Sequence, residues 1–367
     1  MDLGMRRLLI LALLALNFTP VEADTLTLKS GHPDTYVVKK GDTLWDISGY
    51  FLNDPWRWPK LWGVNPQIAN PHLIYPGDRL TLVFIDGEPR LVVKKHIKKN
   101  VSGRIEPKDG AIPPVDLSLI QNYLVQNRVV DPEWLATLPI VMSGESPSRF
   151  HTAENVIYVN RALAMGAKVA IYEEGREFTD KESGESLGQE IILASSGRVI
   201  ESGDVSKVKL LSNIRETRVG FKVAPVDDGD LLPAYFMPKA AQVDQASILA
   251  IEKLSREAGR FDVVYLDKGS EQGIEAGHVF SMYRDGEEIV VNNEDEPVRK
   301  TDRSSYDKVK AHFSDDNVVK MPDIYHGNLM VFKVFDKTSM GLIMLNHRPV
   351  REGDKLTIPE TVTFKGE

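Results

Sequence analysis

The sequence predicts an α+β protein: a small βααβ module near the N-terminus, followed by a mainly-β region built from two repeated β units. Two observations carry this. Between Tyr36 and Leu82, strand-like runs bracket two short helical patterns. From residue 140 onward, ordered sequence matches recur at similar offsets.

The chain has 367 residues, room for two or three domains. Hydrophobic residues make up 42% and charged residues 27%, a globular balance. The net charge of -8 argues against general nucleic-acid binding, which needs a basic surface. Cysteine is absent, which excludes disulfides, thiolate metal sites and thiol nucleophiles.

Residues 1–23 read as a secretory signal peptide. Arg6 and Arg7 form a positive start, and Leu8 to Leu16 is an apolar core too short to span a bilayer of ~30 Å. Cleavage is expected after Ala23, with an uncleaved anchor as the alternative. No later apolar run is long enough to span a membrane, so no integral membrane segment is expected after cleavage.

The βααβ module is assigned to residues 34–84. Tyr36-Val37-Val38 opens it as a strand, and Gly41-Asp42 turns the chain. The first helix is expected behind Asp42 as its N-cap. Leu44, Ile47, Ser48 and Phe51 share one face, with Leu44, Ile47 and Phe51 as core. Trp45 falls off that stripe and is expected to be at least half exposed. The second helix starts at Asp54-Pro55 or, with the better fit, at Pro59, with Leu61 and Trp62 inward. Asn65-Pro66 and Asn70-Pro71 break it, and Leu80 and Leu82 lie on the closing strand.

Residues 85–139 read as a linker strand and helical bracket. Lys94, Lys95, Lys98 and Lys99 form a basic cluster, read as a solvated face. Asp116 is expected to cap a short helix bearing Leu117, Ile120 and Leu124, and Asp131-Pro132 to start another bearing Trp134 and Leu138.

The repeated β units are placed at 140–232 and 248–358. Val156 to Asn160 matches Val263 to Asp267, Gly166 to Gly175 matches Gly277 to Gly286, and Pro225 to Asp230 matches Pro349 to Asp354. Segments 167–172, 279–283, 329–335 and 341–345 alternate with period two, as strands do. A polar insertion from Asn292 to Asp316 reads as a mobile loop.

No catalytic constellation stands out. None of the eight histidines stands two to five residues from another, so no close-spaced zinc motif exists. There is no Gly-x-Ser-x-Gly frame and no phosphate-binding loop. No metal and no cofactor is expected, and the chain reads as a non-enzyme.

Tyr36-x-Val38-x-x-Gly41-Asp42-Thr43-Leu44-x-x-Ile47, Asn65-Pro66-x-Ile68 and Ile74-x-Pro76-Gly77-Asp78-x-Leu80 resemble the LysM family. The resemblance implies binding of N-acetylglucosamine-containing glycans in a shallow groove. Its walls would be Gly41, Asp42, Thr43 and Leu44 on one side, and Pro71, His72, Leu73, Ile74 and Tyr75 on the other. Between Ser48 and Asn65 the chain departs from the family's pattern, being longer and rich in tryptophan. Trp58 and Trp62 are read mainly as packing; Trp45 and Trp56 are candidates for contact with ligand or with the rest of the protein. A signal peptide, one such module and a long β region look like secreted LysM-domain proteins of Gram-negative bacteria. The expected role is non-catalytic binding of peptidoglycan glycan strands in the periplasm, with the β units as spacer or as a platform for an envelope protein. The alternatives are a cell-wall hydrolase with an unrecognised carboxylate site and a scaffold of an envelope assembly.

Overall fold

The computed structural model describes residues 26–63, 74–94, 113–226, 236–253, 255–291, 297–299 and 317–359. The signal-peptide segment therefore lies outside the described residues. No described helix is long and apolar enough to cross a membrane.

The N-terminal module starts with strand β1 (Thr35–Val37) and helix α1 (Leu44–Phe51). A 3-10 turn (Pro55–Arg57) leads into the short helix α2 (Trp58–Leu61). Each of these last two opens with a proline in its first turn, so both expected starts are used. Strands β2 (Arg79–Ile85) and β3 (Glu88–Lys94) form a hairpin, and β2 pairs on its other side with β1. Tyr36 faces Leu80, and Leu80 faces Val93. The strand expected in the linker thus belongs to the module's sheet. Its turn, Asp86-Gly87, takes positive φ at both residues (53° and 82°), as a tight twisted hairpin requires.

The bracket is a 3-10 turn (Leu117–Leu119), helix α3 (Gln121–Gln126), strand β4 (Asn127–Val130) and helix α4 (Pro132–Thr137). Asp131 caps α4 by accepting from the amides of Glu133 (2.6 Å) and Trp134 (3.1 Å). Strand β4 is not foreshadowed in the sequence pattern. It leaves the bracket and pairs with a strand of the first β unit.

The first unit comprises β5 (Val141–Gly144), β6 (Val156–Val159), β7 (Lys168–Thr179), β8 (Ser186–Glu201), β9 (Ser206–Asn213) and β10 (Lys222–Pro225). They pair antiparallel in the order β5-β6-β9-β8-β7-β10. The ring closes where the Val223 amide donates to Pro139 (2.8 Å) and the Val141 amide to Phe221 (2.9 Å). The second unit holds β11 (Lys239–Ala240), β12 (Ala246–Ile251), β13 (Val263–Leu266), β14 (His278–Arg284), β15 (Glu288–Val291), β16 (Pro297–Arg299), β17 (Asn317–Lys320), β18 (Ile324–Val334), β19 (Ser339–Asn346) and β20 (Lys355–Thr357). Its order β12-β13-β19-β18-β14-β20 is the same, and β20 closes it by pairing with both β12 and β14. β15, β16 and β17 form a separate small sheet. Within the insertion read as a loop, Pro297–Arg299 is therefore a strand, and the remainder lies outside the described residues.

The two rings correct one of the sequence matches. Pro225 ends a strand, whereas Gly353 and Asp354 precede one. The stretch equivalent to Val350–Lys355 is Thr217–Lys222. Thr217 and Val350 each bridge to a partner, His151 and Ala258. Gly220 and Gly353 then turn the chain at φ 90° and 86°. A Gly-Asp pair after the strand imitates the turn that stands before it.

The strands differ between units in one telling way. β6 alternates half-buried and buried residues, so only Ile157 and Val159 point into the first barrel. β13 is buried along its whole length. Val264 and Leu266 join the second barrel's interior with Phe280, Leu329 and Ile343. Val263 and Tyr265 face outward, in a cluster that continues through Met340 and Leu342 to Leu44, Trp45 and Trp58 of the module. The module and bracket thus pack on the outside of the second barrel. A strand covered on both faces needs an unbroken apolar run, which Val263-Val264-Tyr265-Leu266 supplies.

Candidate functional site

Both walls of the expected groove begin from one local structure. Lys39-Lys40-Gly41-Asp42 and Tyr75-Pro76-Gly77-Asp78 are the same turn built twice. In the first, Asp42 Oδ2 accepts from the Lys39 amide (2.8 Å); in the second, Asp78 Oδ2 accepts from the Tyr75 amide (3.0 Å). The glycines adopt φ 91° and 94°, a conformation that costs them no steric clash. Val38 sits between the turns: its amide donates to Asp78 (2.9 Å) and its carbonyl accepts from Gly77 (2.8 Å). The two Gly-Asp turns are therefore fastened together at the end of β1.

Asp42 does not cap helix α1, contrary to expectation. Its carboxylate instead takes the Tyr36 hydroxyl (3.0 Å). Burial, and then this carboxylate, push the Tyr36 phenol above its ordinary pKa, which keeps it a donor. The cap is Thr43, one residue on. Its hydroxyl accepts from the Asp46 amide (3.1 Å) and donates to Asp46 Oδ2 (2.8 Å).

The next amides are also taken. Leu44 donates to Pro113 (3.1 Å) and Trp45 to Pro114 (3.2 Å). The first-turn amides of a helix have no partner within it, so they seek acceptors elsewhere. Here two carbonyls of the incoming bracket supply them. Asp46 Oδ1 receives the guanidinium of Arg260, which lies between β12 and β13 of the second barrel. Arg260 also donates from Nε to the Met344 carbonyl (3.0 Å).

These contacts sort the expected wall residues. Gly41 is exposed and Asp42 half-buried, forming an open rim. Thr43, Leu44 and Ile74 are buried, at 6%, 2% and 2% exposure, and their side chains belong to the interior. Tyr75 is half-buried. Pro71, His72 and Leu73 lie outside the described residues. Trp45, expected to be at least half exposed, is 2% exposed, because its face of α1 packs toward the second barrel. Trp58 is fully buried, while Trp56 and Trp62 pack half-buried against the same core. Tyr50, an exposed aromatic of α1, stacks on Tyr36 with ring centroids 4.9 Å apart.

Sequence reasoning misses Pro113, Pro114 and Arg260. The prolines read as linker by composition, and nothing local marks Arg260. The turn around it does carry a signal. Gly259-Arg260-Phe261-Asp262 closes as the others do, with Asp262 Oδ2 accepting from the Gly259 amide (2.9 Å).

Residues 36–83 match the LysM domain. The chain is also 45% identical over 60 residues to an uncharacterized protein of Bacillus subtilis (strain 168), YqbP. That alignment covers 14% of this chain and 27% of the relative. The likeness is thus one of a domain, within a chain that contains it.

Proposed function

We propose that this LysM-containing protein binds the N-acetylated glycan strands of peptidoglycan without cleaving them, in the periplasm, after secretion through a cleaved N-terminal signal. The fastened pair of Gly-Asp turns carries the reading. It presents a rim at exposed Gly41 and half-buried Asp42 beside Tyr75, with backbone groups and aromatic edges at hand for an acetamido group. A shallow rim of this kind buries little area, so a single module binds weakly and gains from the repeating polymer. The barrels act as spacer or as the platform for an envelope protein. Sedimentation of the purified protein with isolated sacculi tests the binding. Co-pelleting that falls with Asp42→Ala supports it, and protein left in the supernatant refutes it.

A hydrolase reading has one feature to draw on. A cleft of about 450 Å³ between the barrels is lined by Asp131, Glu133, Glu177, Glu185, Glu271 and Asp336. Cell-wall hydrolysis by paired carboxylates needs an acid and a base across a sugar. Soluble muropeptides released from the same sacculi would favour this reading over binding alone.

A further inference from the structure

We propose that the second barrel completes the glycan surface, with Phe261 as a stacking residue for a sugar ring next to the one held at the Gly-Asp turns. The inference rests on the glycan reading above and adds to it a second segment of chain and a longer ligand.

The turn itself is the first observation. Lys39–Asp42, Tyr75–Asp78 and Arg351–Asp354 all place glycine at the third position, with φ of 91°, 94° and 86°. In each the aspartate accepts from the amide three residues back. Gly259–Asp262 makes the same turn with a phenylalanine there, at φ 70°. An L-residue with a bulky side chain is strained in that conformation, and such strain is held where the side chain has a use. The equivalent turn of the first barrel, Thr152–Asn155, is also non-glycine, with Glu154 at φ 70°. The use of Glu154 is plain, since it pairs with Lys209 at 2.8 Å on the surface. Phe261 carries no charge, meets the Arg260 guanidinium on one face, and remains 37% exposed.

The second observation is where the ring sits. The Arg260 guanidinium lies 4.3 Å from the Phe261 ring centre. That guanidinium also grips Asp46, whose other oxygen takes the Thr43 hydroxyl. Thr43 follows Gly41 and Asp42 directly. A continuous set of contacts thus joins the exposed rim of the module to an exposed aromatic of the barrel. Pro113, itself exposed, lies at the same helix end.

The third is chemical fit. The axial hydrogens of a β-linked hexose form an apolar face that covers an aromatic ring, while its hydroxyls face water. The far side of the Phe261 ring is backed by a cation, which fixes its orientation. The first-turn amides of α1 are already taken by Pro113 and Pro114. Additional ligand contact at this end of the module therefore has to come from exposed side chains such as Pro113 and Phe261, and of these two Phe261 offers an aromatic face for stacking.

The test uses the full chain and two variants, Phe261→Asn and Phe261→Trp. Asparagine tolerates positive φ, so the Asn variant is expected to fold with a melting temperature no lower than the native protein's. Binding is followed by titration with a short and a long β-1,4-linked N-acetylglucosamine oligomer, and by sedimentation with sacculi. The expected result is about tenfold weaker binding of the long oligomer by Phe261→Asn, little change for the short one, and full retention by Phe261→Trp. Native-like binding of the long oligomer by Phe261→Asn, or lost binding by Phe261→Trp, overturns the inference and leaves the glycan reading standing. Failure of the native protein to bind sacculi and both oligomers removes the glycan reading itself, and this inference with it.

Discussion

Tyr265 of the second barrel donates its hydroxyl to Glu190 of the first, at 2.6 Å, with both side chains buried. The bond joins strands β13 and β8 across the junction of the barrels. Asn127, at the start of β4, reaches both groups at 3.3 Å. Arg176 donates to Glu190 from its amide and its Nε, each at 3.2 Å, and from Nη1 to the Ile251 carbonyl of the second barrel (2.7 Å). Every arm of the buried carboxylate therefore ends on an element of a different part of the chain.

Burial by itself would raise the Glu190 pKa, but the hydrogen bonds from Tyr265 and Arg176 hold it below the usual carboxylate range. A carboxylate lowered in the fold binds its proton more readily when unfolded. Its stabilisation is present above the unfolded value, ~4.3, and is lost as pH falls through the folded one. Acid denaturation scans should show native stability dropping below about pH 4.3, with the drop reduced in Glu190→Gln. Removing the charge-bearing hydrogen bond by Tyr265→Phe should cost ~1.5–3 kcal/mol in urea unfolding at neutral pH.

His151 should give a second acid-sensitive step, at higher pH. Its ring is buried, and among the described residues neither ring nitrogen has a hydrogen-bond partner. Burial lowers its pKa, so the imidazole stays neutral in the fold. Here too the unfolded chain binds the proton first, and stability falls as pH drops below the unfolded value of ~6.5. His151→Phe should flatten the stability profile between about pH 6.5 and 5. Melting curves across that range check this.

Gly144 should not accept a side chain. A Cβ there would lie 2.1 Å from Cε1 of the buried His151 ring. Gly144→Ala is expected to cost ~1–3 kcal/mol by overpacking, read as a lowered urea midpoint at unchanged slope.

Trp45 should behave as a core residue of the whole molecule. Trp45→Ala is expected to cost ~3–5 kcal/mol and to loosen the module from the second barrel. Limited proteolysis should then cut between module and barrels faster than in the native protein. Unchanged cutting and an unchanged melting temperature would show that the packing at α1 is not what holds the two together.

Lys333 should hold the bracket to the same barrel. Its ammonium donates to the carbonyls of Tyr123 (3.1 Å), Leu124 (2.6 Å) and Asn127 (2.7 Å), at the C-terminal end of α3. A cation suits the unpaired carbonyls and the negative end of a helix. Lys333→Met is expected to cost ~1–3 kcal/mol by leaving these acceptors short of donors. Amide exchange in α3 should quicken more than exchange in β18.

Much of the module is legible in the sequence because its signals are local. Glycine marks Gly41 and Gly77 as turns, proline leads both short helical turns, and the Leu44-Ile47-Phe51 stripe identifies a buried face. The cap falls one residue later than the pattern suggests, since Asp42 and Thr43 are both good caps and only the contact with Tyr36 decides between them. Two of the three matches are readable for the same reason: Val156 to Asn160 with Val263 to Asp267, and Gly166 to Gly175 with Gly277 to Gly286, fall on strands that hold like places in the two sheets. The long β8 and β9 hairpin, however, does not stand out, because its polar and apolar residues do not alternate cleanly where bulges shift the register.

The sequence by itself determined the turns, the helical stripe, the LysM pattern and the β character of the rest, all set by residues close together in the chain. Tertiary structure alone decided which of the expected wall residues stay open to solvent. Leu44 and Trp45 lie on or beside an amphipathic stripe, and nothing within a few residues tells whether a barrel will cover them. Pro113, Pro114 and Arg260 are far from Gly41 in sequence, yet they take the amides and the carboxylate of its helix. One trace of this was present in the chain: whereas 279–283, 329–335 and 341–345 read as alternating and are in fact buried on both faces, Val263-Val264-Tyr265-Leu266 of β13 is apolar without alternation. That pattern says a covering exists, while only the assembled core shows that the LysM module is part of it.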